Sequence, residues 1–175
     1  MIHRDRMTAR LDGEFAVFLI GMRINRPWAV HRWLPVASAM PRMLRELYTQ
    51  PGLGLLSHEM WFSRTIVLVQ YWRSMDALLA YAQDRQAAHL PAWQAFNKAI
   101  GTDGSVGIWH ETYLSGPRRY ENVYVNMPAF GLGKAGELVP ARSGLQSAAA
   151  RLRGGAAAVS APATSGEGAT PPAPH

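Results

Sequence analysis

The chain has 175 residues, of which 48% are hydrophobic and 17% charged, a length and balance that fit one domain able to bury a core. Its net charge is +6, but the arginines are scattered and no dense basic run alternates with aromatics, so a nucleic-acid surface is not expected. There is no cysteine, which excludes disulfides, thiolate metal sites and cysteine nucleophiles.

The first elements read clearly. Residues 1–12 carry little apolar patterning and read as a flexible N-terminus. "EFAVFLIGMRI" (Glu14–Ile24) is a continuous apolar run rich in aromatic and β-branched residues, the pattern of a strand buried on both faces. It is far shorter than the ~20 apolar residues of a membrane helix. No cleavage site follows it, and the expected compartment is the cytoplasm. A helix follows from about Pro27 to Gln50, with Val36, Met40, Met43, Leu44 and Leu47 at helical spacing and Pro35 and Pro41 kinking its first half.

"LGLLSHEMWF" and "TIVLVQYW" are separated only by Ser63 and Arg64 and read as a β-hairpin. Ser74 is a plausible N-cap for a second helix running to about Ile100, whose face Leu78, Ala82, His89, Trp93, Phe96 and Ile100 share. Pro91 would bend it. "GTDGS" is a turn, "VGIWHETYL" a strand, and "RYENVYVNM" alternates like another. "GLGKAG" holds glycines 131, 133 and 136, but no strand leads through it into a helix, so a dinucleotide loop is discounted.

Beyond residue 140 the composition changes. Residues 141–175 are mostly Ala, Gly, Ser, Pro and Thr, with Arg142, Arg151, Arg153 and Glu167 their only charges, and read as a disordered tail apart from a short helix over "LQSAAARLR". The folded domain is then 13–140. Its order β-α-β-β-α-β is the ferredoxin-like arrangement of the α+β class. Two helices cover one sheet face, while strands apolar on both sides leave the other to a second copy. The expected assembly is a homodimeric α/β barrel with a pocket inside each sheet, on the face opposite the helices.

Two histidines stand out. His110 shares a strand face with Val106, Ile108 and Thr112, while Trp109, Glu111 and Tyr113 point the other way. An imidazole among apolar neighbours suits a general acid or base, and equally a satisfied polar group in a subunit interface. His89 lies on the apolar helix face four residues before Trp93. Its spacing suits a metal-binding imidazole, and equally a core histidine donating to a carbonyl. His58 shares strand parity with Leu56, Met60 and Phe62 and could line the same pocket. His31, beside Arg32, reads as solvated. Trp72 and Trp93 are candidates to shape a pocket for a small apolar molecule, although tryptophans also fill cores. No HExxH, paired-carboxylate or three-histidine metal pattern occurs.

"RTIVLVQYWRSMDALLAYAQD", "HLPAWQAFNKAIG" and "VGIWHETYL" resemble the monooxygenase-like family typified by a fumagillin-pathway enzyme, among the dimeric α/β-barrel proteins, over about residues 10–135. The resemblance implies an oxidoreductase acting on a small molecule. A more distant similarity is to haem-dependent aldoxime dehydratases, larger proteins built from two such halves. It implies haem as cofactor, His89 as iron ligand and His110 as the catalytic histidine across it. Three readings follow: a cofactor-free monooxygenase with His110 as base, a haem protein or dehydratase-type lyase with His89 on iron, and a non-enzymatic ligand-binding module. The bent second helix is expected to bring His89, His110 and Trp93 to one cavity.

Overall fold

The structure is a computed structural model that describes residues 1–84, 103–142 and 144–154. Its centre is a four-stranded antiparallel sheet. β2 (Phe15–Ile24) pairs on one side with β4 (Thr65–Trp72) and on the other with β5 (Val106–Ser115), and β3 (Leu55–Trp61) pairs with β4 at the outer edge. Among these four, the spatial order is second, third, first, fourth in the chain. With α1 (Val30–Thr49) crossing from β2 to β3 and α2 (Met75–Gln83) beginning the return from β4 to β5, this is the ferredoxin-like α+β fold.

Period-two alternation sorts the strands' side chains onto two faces. Ala16, Phe18 and Ile20 point to α1 and pack with Leu44, Leu47, Leu55, Leu68, Trp72 and Leu78. Leu47 and Leu68 are each 1% exposed, so truncation of either to alanine would cost about 2–5 kcal/mol. α2 starts where expected, with the Ser74 hydroxyl accepting the Ala77 N–H at 3.1 Å. Past residue 84 the expected helix, including His89, Pro91 and Trp93, lies outside the described residues.

The opposite face is not left wholly to a partner. β1 (Met7–Arg10) pairs antiparallel with β6 (Glu137–Pro140), and α3 (Leu132–Ala135) precedes β6. Ala9, Phe15 and Leu132 close a second core there with Val17, Tyr71, Tyr120 and Tyr124. The hydroxyl of Ser57 donates to the Gly131 carbonyl at 3.1 Å, and Glu59 accepts the Gly131 N–H at 2.9 Å and pairs with Lys134 at 2.8 Å. These bonds pin the loop before α3 to strand β3.

Three sequence expectations are corrected. Residues 7–10 are not part of a flexible arm, because Met7, Thr8 and Ala9 are buried in the β1–β6 pair. "RYENVYVNM" is not a strand: it makes isolated bridges at Tyr124 and Met127. Here the Asn122 side chain replaces the backbone ladder, accepting the Ala9 N–H and donating to the Ala9 carbonyl. The short helix expected within "LQSAAARLR" forms, and the correction is that residues 141–154 pack on the domain rather than hang loose. Ala141 and Leu145 are buried, and α4 (Ala148–Gly154) anchors Arg151, 6% exposed, against Glu121 and the carbonyls of Leu145 and Gln146.

Candidate active site

A cavity of about 140 Å³ lies between α1 and the sheet. Its floor is set by register. His110, Ile20, Leu68 and Met60 are successive cross-strand neighbours from β5 through β2 and β4 to β3. Ile108, Met22 and Ile66 form the next row. The roof comes from α1, with Val36, Met40, Pro41 and Met43 above the floor. Pro41 has no N–H, so the Ala37 carbonyl one turn back lacks its ordinary helical donor, and both residues line the cavity.

His110 is the one described lining residue with an ionisable side chain; the other side chains are apolar. It is exposed at the β5 edge, and its ring lies 5.8 Å from that of Phe18. Glu111 points to the opposite face, where the Tyr113 hydroxyl donates to it at 2.6 Å. An exposed imidazole at the mouth of an apolar slot can accept a proton from a bound molecule and pass it to solvent.

The cavity sits on the helix-covered face, not the face opposite the helices as expected from the barrel picture. The cause is strand parity: His110 pairs with Ile20, whose side chain faces α1. The other sequence candidates fall elsewhere. Trp72 is 1% exposed in the main core, its indole N–H donating to Gln70 at 2.8 Å and its ring 5.6 Å from Tyr81, and it does not line the cavity. His58 is beside the cavity rather than in it, because its Nδ1 is engaged by the Tyr48 hydroxyl at 2.7 Å. Burial, and then the charge of Lys134, push the His58 pKa below the ordinary imidazole value against the pull of Glu59. His89 and Trp93 are outside the described residues, so a cavity shared by His89 and His110 is not among the observed features. Sequence reasoning did not single out the four methionines at 22, 40, 43 and 60 that line the slot. Their signal was present in the helical spacing of Met40 and Met43 and the strand parity of Met60.

The described residues do not fit a haem. About 140 Å³ is well below the ~300–1,000 Å³ of pockets that hold drug-sized ligands, and no arginine or lysine lines this one to meet propionates.

The fold and cavity place the chain among ferredoxin-like α+β domains. More specifically, residues 15–132 match the family described as monooxygenase af470-like, and the chain belongs to that family. A curated relative, monooxygenase af470 of Aspergillus fumigatus, is 26% identical over 131 residues, which is 70% of this chain and 46% of the relative. The chain thus spans less than half the length of that relative. Among solved structures, SnoaB, a cofactor-independent oxygenase from Streptomyces nogalater, is similar at 15% identity. The match covers 58% of this chain and 92% of SnoaB with a TM-score of 0.43. A dimeric ferredoxin-like protein from an uncultured marine organism is similar at 15% identity, covering 58% of this chain and 94% of its own, with a TM-score of 0.39.

Proposed function

We propose that the chain is a monooxygenase that oxidises a small apolar molecule held between α1 and the sheet, with His110 as general base. The observation that carries this reading is one imidazole at the mouth of an otherwise apolar cavity. Family membership and the activity named for the curated relative support it.

The substrate suited to such a base is a carbon acid, a CH₂ group flanked by electron-withdrawing groups. His110 takes one proton, and the carbanion supplies electrons to molecular oxygen, forming a C–O bond in a hydroperoxide. The imidazolium supplies the hydroperoxide proton, and the neutral imidazole then removes the second C–H proton as the O–O bond breaks, leaving a carbonyl. That proton passes from the imidazolium to the departing hydroxide. The sum is R₂CH₂ + O₂ → R₂C=O + H₂O, with the substrate as its own reductant. The surrounding apolar walls limit water's access to the carbanion.

The test is oxygen uptake with a panel of alkyl-substituted 1,3-dicarbonyl compounds in chelator-treated buffer, with ¹⁸O₂ to trace the product oxygen. Uptake matched by labelled carbonyl is expected from the wild type. Because a positioned base contributes at least about 100-fold, His110→Ala should lose that factor while keeping its circular dichroism. Uptake unaffected by His110→Ala would remove the assigned role, and no uptake on any member would overturn the reading. We also propose that the working form is a homodimer, joined through the part of the helix-free face that β1, β6 and α3 leave open.

A further inference from the structure

We propose that the ligand of this cavity is elongated, lying across the strands with its polar, reacting end at His110 and its apolar end at Met60 and Phe62. This rests on the assignment of the cavity as the substrate site and specifies what that site accepts.

The register determines the direction. His110, Ile20, Leu68 and Met60 stand in one row on four neighbouring strands, and all four line the cavity. Three interstrand steps of about 4.8 Å separate the first from the last, so the floor is about 14 Å long. A floor of that length suits a chain of atoms laid across the strands, whereas a compact cage of equal mass can meet only part of the row. The four methionines, two in the floor and two in the roof, are unbranched and deformable, so the walls can follow a kinked chain.

Polarity sets the orientation. The β5 end holds the imidazole, while Met60 and Phe62 stand at the β3 end, where no described lining side chain is polar. No ionisable side chain other than the His110 imidazole is among the described lining residues, so the ligand body is uncharged. Among the described lining side chains, only that of His110 can satisfy a polar terminus.

The experiment is calorimetric titration of the full chain with straight-chain primary alcohols from hexanol to dodecanol, and with adamantanol, a cage with the carbon number of decanol. Affinity is expected to rise about fourfold per methylene until the chain fills the slot, then level off. Adamantanol should bind at least about tenfold more weakly than decanol, since its carbons cannot spread along the slot. Met60→Trp should abolish the gain from the last methylenes and leave hexanol unchanged. Phe62 is 73% exposed, so Phe62→Ala keeps the fold and should weaken the long alcohols alone. His110→Leu should weaken every member by one common factor. Equal binding of cage and chain, a series flat in length, or a loss with His110→Leu confined to the longest chains would each overturn the proposal. The alcohols carry no acidic C–H, so binding and chemistry are read apart. A length-dependent series without oxygen uptake would overturn the monooxygenase reading and leave this one. Uptake by the dicarbonyl panel with a flat alcohol series would do the reverse.

Discussion

At the scale of single residues, small steric and electrostatic facts decide whether the floor of the slot keeps its shape. Gly21 sits in the central strand inside an apolar run, where a glycine weakens a sheet unless something needs the space. A Cβ there would meet the Trp109 indole at 2.6 Å and the Ile66 carbonyl at 2.7 Å. The indole can swing aside, but the carbonyl belongs to the neighbouring strand. Gly21→Ala should therefore cost about 1–3 kcal/mol, read as a lower urea midpoint with an unchanged slope. His58 gives a pH dependence whose sign is fixed. Its folded pKa is lowered, by burial first and by Lys134 second, so between that value and the ordinary ~6.5 the unfolded chain binds a proton that the folded chain does not. Stability then rises with pH across this window and is lost as pH falls below about 6.5. Nδ1 also shares a hydrogen bond with the Tyr48 hydroxyl at 2.7 Å, which a protonated ring can only donate. Denaturation at about pH 7.5 and about pH 5 should show a larger acid loss in the wild type than in His58→Gln. Equal losses would mean His58 does not contribute. The parity that put His110 on a pocket face was legible in "VGIWHETYL". Trp72 was misplaced because a core indole and a pocket indole have the same composition and strand position.

At the scale of elements, the four sheet strands and α1 were legible because their apolar runs are long, well punctuated and of one period each. The segment after β5 was not. "RYENVYVNM" alternates like a strand, yet its alternate side chains bond to β1 and the residue after it in place of a ladder: Tyr120 accepts the Leu11 N–H at 2.9 Å, and Asn122 takes both polar groups of Ala9. Period-two patterning cannot distinguish a strand from a segment that uses side chains in this way. Nor does composition reveal that a segment rich in alanine and glycine holds an anchor. In α4 the Arg151 guanidinium meets Glu121 and donates to the Leu145 and Gln146 carbonyls, all within a nearly closed site. Arg151→Ala would leave Glu121 and those acceptors without their donor. With Glu121 partly solvated, the expected loss is about 1.5–3 kcal/mol. A fall in melting temperature of several degrees would register it. A melting temperature unchanged in Arg151→Ala would show that α4 rests on the domain without supporting it.

At the scale of the whole molecule, the ferredoxin-like order was readable from element sequence alone, but the covering of the sheet was not. By element order alone, a chain with two crossover helices leaves one whole sheet face bare, which is the ground for expecting a second copy over all of it. Instead the two ends of the domain return as β1, α3 and β6 and cover the Phe15, Val17 and Tyr71 end. What remains is smaller. Trp61, on edge strand β3, and Tyr113, on edge strand β5, are 46% and 54% exposed on that face, at opposite sides of the sheet. Exposed aromatics are poor neighbours for water, and one at each edge can anchor a self-complementary contact about a two-fold axis. The homodimer is therefore expected to form across this face, with Trp61 and Tyr113 as its outer anchors. Sedimentation at about 10 μM should show a dimer. Trp61→Ala and Tyr113→Ala should each weaken it by about fivefold or more, the loss of an interface residue worth over about 1 kcal/mol, without changing the circular dichroism. His110 lies on the opposite side of the sheet, so oxygen uptake by the dissociated variants should persist. A wild-type monomer at that concentration, or variants that dissociate no more readily, would assign the open aromatics to some other contact.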